Sequence, residues 1–114
     1  MSRLSNTLRG SEGNGLLFWC PGCGHAHRIQ HGAGTGPRWN WNGDVEHPTF
    51  TPSILVTWSE PSDIPSEFDD QTKDASKVCH SFVTDGQIQF LGDCTHALAG
   101  KTVALAPFPA GWGE

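Results

Sequence analysis

The sequence predicts a mainly β protein: a small antiparallel sheet domain, sandwich-like or a partly open barrel, carrying a cysteine knuckle. Three observations lead there. Asp85-Gly86 separates two alternating runs, Val78 to Thr84 and Gln87 to Leu91, and Asp-Gly suits a two-residue type I′ turn because both central residues need φ > 0. The 114 residues include 14 glycines and 8 prolines, and the aromatics are tryptophan and phenylalanine. That mixture fits many short strands joined by turns. No stretch shows a long helical period, and no segment repeats.

Taken in order, residues 1–14 read as a polar, Gly/Ser-rich, flexible tail. Gly15 to Trp19 forms a short strand that runs into Cys20-Pro21-Gly22-Cys23. His25 to Gln30 returns as its partner, with His25 and His27 on one face. Residues 31–36 make a glycine loop. Pro37 to Asn42 alternates Arg38, Asn40 and Asn42 against Trp39 and Trp41, a half-buried strand that Asn42-Gly43 turns. Glu46 to Pro52 holds two prolines, so it is extended at an edge or a crossover. Ser53 to Trp58 is the most β-prone run in the chain.

Residues 59–77 differ in kind, with six of the twelve acidic residues and two prolines. A segment of that length without apolar pattern is a solvated insertion or, more sharply, an acidic lid or partner-binding flap. Ala97 to Gly100 is a turn, Thr102 to Ala106 a last strand, and 107–114 a tail. One domain, 15–106, is expected to hold the fold.

The Asp85-Gly86 turn also fixes a register. With Thr84 opposite Gln87, Val83 faces Ile88, Ser81 faces Phe90 and Cys79 faces Gly92. Side chains alternate along a strand, so Cys79, Ser81, Val83, Ile88, Phe90 and Cys94 share one face. His80, Phe82, Thr84, Gln87, Gln89, Leu91 and Asp93 share the other. Diagonal neighbours lie about 7–8 Å apart, within reach of a bridging metal or of polar side chains.

Net charge is −5, and lysine and arginine form no cluster. Nucleic acid is therefore excluded as a partner, because backbone binding needs a basic footprint. The opening residues carry no apolar signal-peptide core, and the longest apolar run, Leu16 to Cys20, is too short to cross a membrane. A cytoplasmic protein is expected, whose cysteines stay reduced or hold metal.

Cys20-Pro21-Gly22-Cys23 has zinc-knuckle spacing: two intervening residues let both sulfurs reach one ion, and Gly22 permits the tight turn. Cys79 and Cys94 supply a second pair on a common sheet face. Four thiolates around one Zn²⁺ would make a closed, structural site. His25, His27 or His96 could replace Cys79 or Cys94. A thioredoxin-like redox role fits less well, since no helix follows the knuckle. The zinc deaminase signature is absent.

The opposite face offers His80 beside Asp93, a carboxylate placed to orient an imidazole for general-base work. Ser53, at the head of the SILVTW strand, is the candidate nucleophile, with Thr49, Thr51 and Ser81 as weaker alternatives. Ser53, His80 and Asp93 together would divide the labour of a serine hydrolase.

A resemblance bears on this. The order CPGC, Pro37-Arg38-Trp39, Pro48 to Ile54, Cys79 to Phe82 and Gly86 to Phe90 resembles the BubE family, whose phage and prophage relatives carry the CHSF…IQFLGDC phrase almost as it stands here. The similarity runs from about Leu17 to Val103, interrupted by the acidic insertion. It implies a small zinc-stabilised β protein of a bacterial ubiquitination-like operon, acting as a peptidase on a ubiquitin-like partner. By residue it implies the Cys20/Cys23 pair, Ser53 in Pro-Ser-Ile, Cys79, and a histidine just before Phe82, where this chain has Ser81 and carries His80 one position earlier.

Two readings result. One is a zinc-stabilised peptidase acting on a ubiquitin-like or other small protein. The other is a non-catalytic, phage-encoded module that inhibits a host defence protein, with Trp39, Trp41, Trp58 and the acidic loop as its interface. An open zinc position would define a third, metallohydrolase reading.

Overall fold

A computed structural model describes residues 2–60, 64–67 and 75–112. Among them lie nine strands and one 3-10 turn, Pro65–Glu67. The strands form two antiparallel sheets. The first has the order β1 (Ser2–Arg3), β2 (Leu8–Ser11), β3 (Gly15–Cys20), β4 (His25–Gln30). The second has the order β5 (Asn40–Trp41), β6 (Phe50–Glu60), β7 (Ala75–Thr84), β8 (Gln87–Phe90), β9 (Thr102–Ala104). Every neighbour in both orders is also a neighbour in sequence, the meander expected of hairpin-rich chains. Neither sheet closes into a barrel.

The core lies between the sheets. Leu8, Leu16, Phe18, Cys20 and Ile29 project from the first, and Phe50, Ile54, Cys79, Val83, Ile88 and Phe90 from the second. Phe18 stacks on Phe50 with ring centroids 6.0 Å apart. Two isolated bridges link the ends of the sheets, Trp19 with Ala106 and His31 with Trp39.

The hairpin between β7 and β8 has the register read from its turn: Ser81 opposite Phe90, Val83 opposite Ile88, Thr84 opposite Gln87. Asp85 and Gly86 take φ of 52° and 77°, as a type I′ turn requires. A side chain at 86 would also press on His47, whose Cα lies 3.2 Å from where a Cβ would stand. Along β7 the alternation is plain: Cys79, Ser81 and Val83 are buried, while Phe82 and Thr84 are exposed.

Several expectations are corrected. Residues 2–11 contain strands where none was expected: β2 pairs along the whole of Leu8–Ser11 with β3, and Leu8 is fully buried. Arg9 is buried too, its guanidinium 4.4 Å from the Phe108 ring centre and donating to the carbonyls of Ser5 and Trp112. The C-terminal segment is docked as well, with Phe108 N–H on Asn6 O at 2.9 Å and Trp112 edge-on to Trp19. The polar composition hid this because the buried residues of 2–11 are one leucine, one serine and one whole arginine. Pro37 to Asn42 forms a strand only over Asn40–Trp41, with Trp39 in an isolated bridge to His31. β6 begins earlier than expected, at Phe50, and its register shifts between Phe50 and Ile54, where the Thr51–Pro52 peptide is cis. The acidic lid falls largely on 61–63 and 68–74, outside the described residues; Ser59 and Glu60 belong to the β6–β7 ladder.

Candidate functional site

The site is organised by the turn after β8. The strand stops at Phe90, and residues 91–95 wrap back over the exposed edge of β7. Leu91 N–H donates to His80 O at 2.9 Å, Cys94 N–H to Leu91 O at 3.2 Å, and Thr95 N–H to Val78 O at 3.0 Å. The Cys94 thiol accepts from His80 N–H at 3.2 Å and donates to His80 O at 3.1 Å. This turn sends Asp93 to the outer side of β7 and His96 to the inner side.

On the outer side, β6 and β7 bring Ser53 and His80 together. Asp93 Oδ2 accepts from His80 Nδ1 at 3.0 Å, and the other ring nitrogen, Nε2, lies 3.1 Å from Ser53 Oγ. With its proton on Nδ1, the ring can only accept at Nε2, so the serine hydroxyl donates there. Ser53 O is held in turn by Trp39 Nε1 at 3.2 Å. The His80 side chain is 25 % exposed and that of Asp93 is 54 % exposed. The weaker hydroxyl candidates fall elsewhere: Ser81 is buried on the inner face, and Thr49 Oγ1 accepts from Asp85 N–H at 2.9 Å.

On the inner side, Cys20, Cys23, Cys79 and His96 converge, one ligand atom from each lying within 4.8 Å of the others. This group could hold a metal ion. The fourth corner of the expected all-cysteine set is taken by His96, because the end of β8 at Phe90 breaks the strand parity that would have carried Cys94 there. The Cys94 thiol is spent on the His80 backbone. Neither His25 nor His27 is in the group. His27 is buried opposite Phe18 on β4; its Nε2 makes no hydrogen bond of ordinary geometry among the described residues, although the ring lies near enough to Cys20 to help lower that thiol.

The spacings test the fit. A tetrahedral zinc with Zn–S about 2.3 Å and Zn–N about 2.1 Å separates sulfurs by about 3.8 Å, and sulfur from nitrogen by about 3.6 Å. Cys20 Sγ and Cys79 Sγ are 3.8 Å apart, and Cys79 Sγ and His96 Nε2 are 3.6 Å apart. The donors therefore fit a small, thiophilic divalent cation. Gly22 is needed for this approach, since a Cβ there would stand 2.4 Å from His96 Cε1. Leu98 N–H meets His96 Nδ1 at 3.2 Å, which turns Nε2 toward Cys79. Ligation through Nε2 would put the ring proton on Nδ1, so the Leu98 N–H would lose its acceptor and that contact would have to open when an ion binds.

The thiols also constrain one another. The neighbouring Cys79 thiol, by hydrogen bonding, brings Cys20 down to about 3. Burial and the resulting Cys20 charge push Cys23 up to about 12, and the same Cys20 hydrogen bond, with burial, raises Cys79. Held this close without a cation, the three thiols resist taking up more than one negative charge at a time, because each thiolate raises its neighbours. A bound dication reverses that balance and favours three thiolates.

The tryptophans suggested as an interface, Trp39, Trp41 and Trp58, pack partly buried against the core. Among the described residues no helix is long and apolar enough to cross a membrane.

These features define a class: a two-sheet β protein with a serine–imidazole–carboxylate line on one face of a strand and, behind it, a cysteine–histidine cluster that could hold a metal ion. The chain belongs to the BubE family, described as a bacterial ubiquitination-like system serine protease, whose family model matches residues 3–91. That span includes Ser53, His80 and three of the four clustered donors, and ends just short of Asp93 and His96. No curated protein and no solved structure matches the chain.

Proposed function

We propose that the protein is a serine-type peptidase that cleaves a small protein partner, ubiquitin-like in kind, with Ser53 as nucleophile, His80 as general base and Asp93 as orienting acid. The observation that carries this reading is the unbroken line from Asp93 through His80 to Ser53, in a chain whose family is described as a serine protease. Ser53 Oγ attacks the scissile carbonyl as its proton passes to His80 Nε2. The tetrahedral adduct collapses to an acyl-enzyme, and the leaving amine takes that proton from Nε2. Water, deprotonated at the same nitrogen, then releases the acid and restores Ser53. Asp93 holds Nδ1–H and stabilises the imidazolium that each step forms.

The inner cluster is proposed to hold a structural Zn²⁺ through Cys20, Cys23, Cys79 and His96. Such an ion supplies a cross-link between β3, β7 and the turn after β8, with no open position for water. Its ligands Cys79 and His96 flank His80 and Asp93 in sequence, so the cluster braces the segments that carry the base and the acid.

An alkyl fluorophosphonate, which captures activated serines, tests the reading. Mass spectrometry is expected to find one adduct, on Ser53, lost in Ser53→Ala and formed at least about 10²-fold more slowly in His80→Ala. A wild-type protein that takes no adduct, or takes it on another residue, would contradict the assignment.

A further inference from the structure

The outer face of the second sheet carries more than the proposed triad. Leu55 lies directly across the ladder from His80, and Phe82 lies two residues further along β7 on the same face. Both are open to solvent, Leu55 at 56 % and Phe82 at 39 %. The described residues expose only four large apolar side chains, the others being Leu4 and Ile64, so finding two of them on either side of His80 marks a patch and not scatter. Beyond Phe82 the face continues into a shallow cavity of about 270 Å³ lined by Phe82, Thr84, Asp85, Gln87, Gln89 and Thr102.

The lining has a definite chemistry. The amides of Gln87 and Gln89 and the hydroxyls of Thr84 and Thr102 can both donate and accept, which suits the peptide groups of an extended chain. Among the described residues no lysine or arginine lines it, and Asp85, which does, repels negative charge. An acyl-enzyme keeps the acyl portion of its substrate through both chemical steps, so that side of the scissile bond must be held longest.

Resting on the peptidase reading above, we propose that this face is the substrate groove. It selects an extended peptide with a large apolar residue on the acyl side of the scissile bond, seated between Leu55 and Phe82, and with no acidic residue in the stretch that crosses the cavity. One methylene in such a pocket changes kcat/KM by about tenfold or more, so loss of either wall should be easily read.

A set of fluorogenic tetrapeptide amides, varied only at the acyl-side residue, tests this. The wild type is expected to favour leucine or phenylalanine over glycine and aspartate by at least about tenfold. Leu55→Asp and Phe82→Asp should shrink that ratio toward one, mainly through KM, whereas Leu4→Asp, in the turn between β1 and β2, should preserve it. Fluorophosphonate labelling in parallel separates the two ideas. If wild-type Ser53 is labelled yet the profile is flat, favours acidic residues, survives both wall substitutions, or shows no cleavage of any peptide, the groove assignment is overturned alone. If Ser53 is not labelled, the peptidase reading fails and the groove assignment goes with it.

Discussion

The two sides of β7 invite comparison, because Cys79 and His80 are adjacent in sequence and face opposite media. Behind the strand, Cys79 is sealed at 1 % exposure and meets two thiols and an imidazole within a few ångströms. In front, His80 meets a serine and a carboxylate at ordinary hydrogen-bond distances, with a quarter of its side chain in water. Burial makes the rear group intolerant of unbalanced charge, which suits it to grip an ion and to resist change. Openness makes the front group accessible to a large substrate, at the cost of weaker electrostatics around Asp93. A single strand thus divides by parity a part that stabilises from a part proposed to react.

The largest expected effect lies behind the strand. Cys79→Ala and His96→Ala should each lower bound zinc well below one equivalent and reduce unfolding free energy by several kcal/mol, on the scale of structural zinc sites. Cys94→Ala should keep a full equivalent. Metal analysis with denaturant titration reads both outcomes. A full equivalent in His96→Ala, together with loss in Cys94→Ala, would restore the all-cysteine set.

Next comes the sheet that closes the rear compartment. Leu8→Ala removes a fully buried side chain and should cost about 2–5 kcal/mol in urea unfolding. A cost under about 0.5 kcal/mol, typical of surface positions, would show that residues 2–11 are the loose tail their composition suggested.

The smallest effect is expected in front. Asp93→Asn should slow peptide cleavage by about 10- to 100-fold at little-changed KM, short of the roughly 10⁴-fold seen for a buried triad aspartate. The reason is that Asp93 is 54 % exposed, and water replaces part of what the carboxylate supplies. A loss as large as that of Ser53→Ala would mean that bound substrate shields Asp93 far more than the free structure suggests.

Legibility in the sequence ran along the same line. The Asp85-Gly86 turn made the register of β7 and β8 readable, and with it the side of every residue from Cys79 to Phe90. The Cys20-Cys23 spacing marked half of the cluster that could hold a metal ion. Parity failed where the strand failed: after Phe90 a turn replaces the ladder, so alternation could not show that Cys94 would lie on the His80 backbone while His96 reached the thiols. His96 already stood among the three histidines that could replace a cysteine, and Gly22, whose missing side chain leaves room for its ring, is the residue that favours it over His25 and His27. Residues 2–11 escaped because a four-residue strand with one buried leucine leaves no periodicity to detect.

Bracing of the proposed serine site by the metal cluster is open to one direct titration: the rate of fluorophosphonate capture by Ser53 as zinc is withdrawn with a chelator. Because Cys79 adjoins His80, and Asp93 lies three residues from His96, labelling should fall at least about tenfold in step with metal content and return when zinc is restored. Metal-depleted protein that still labels Ser53 at the original rate would contradict it.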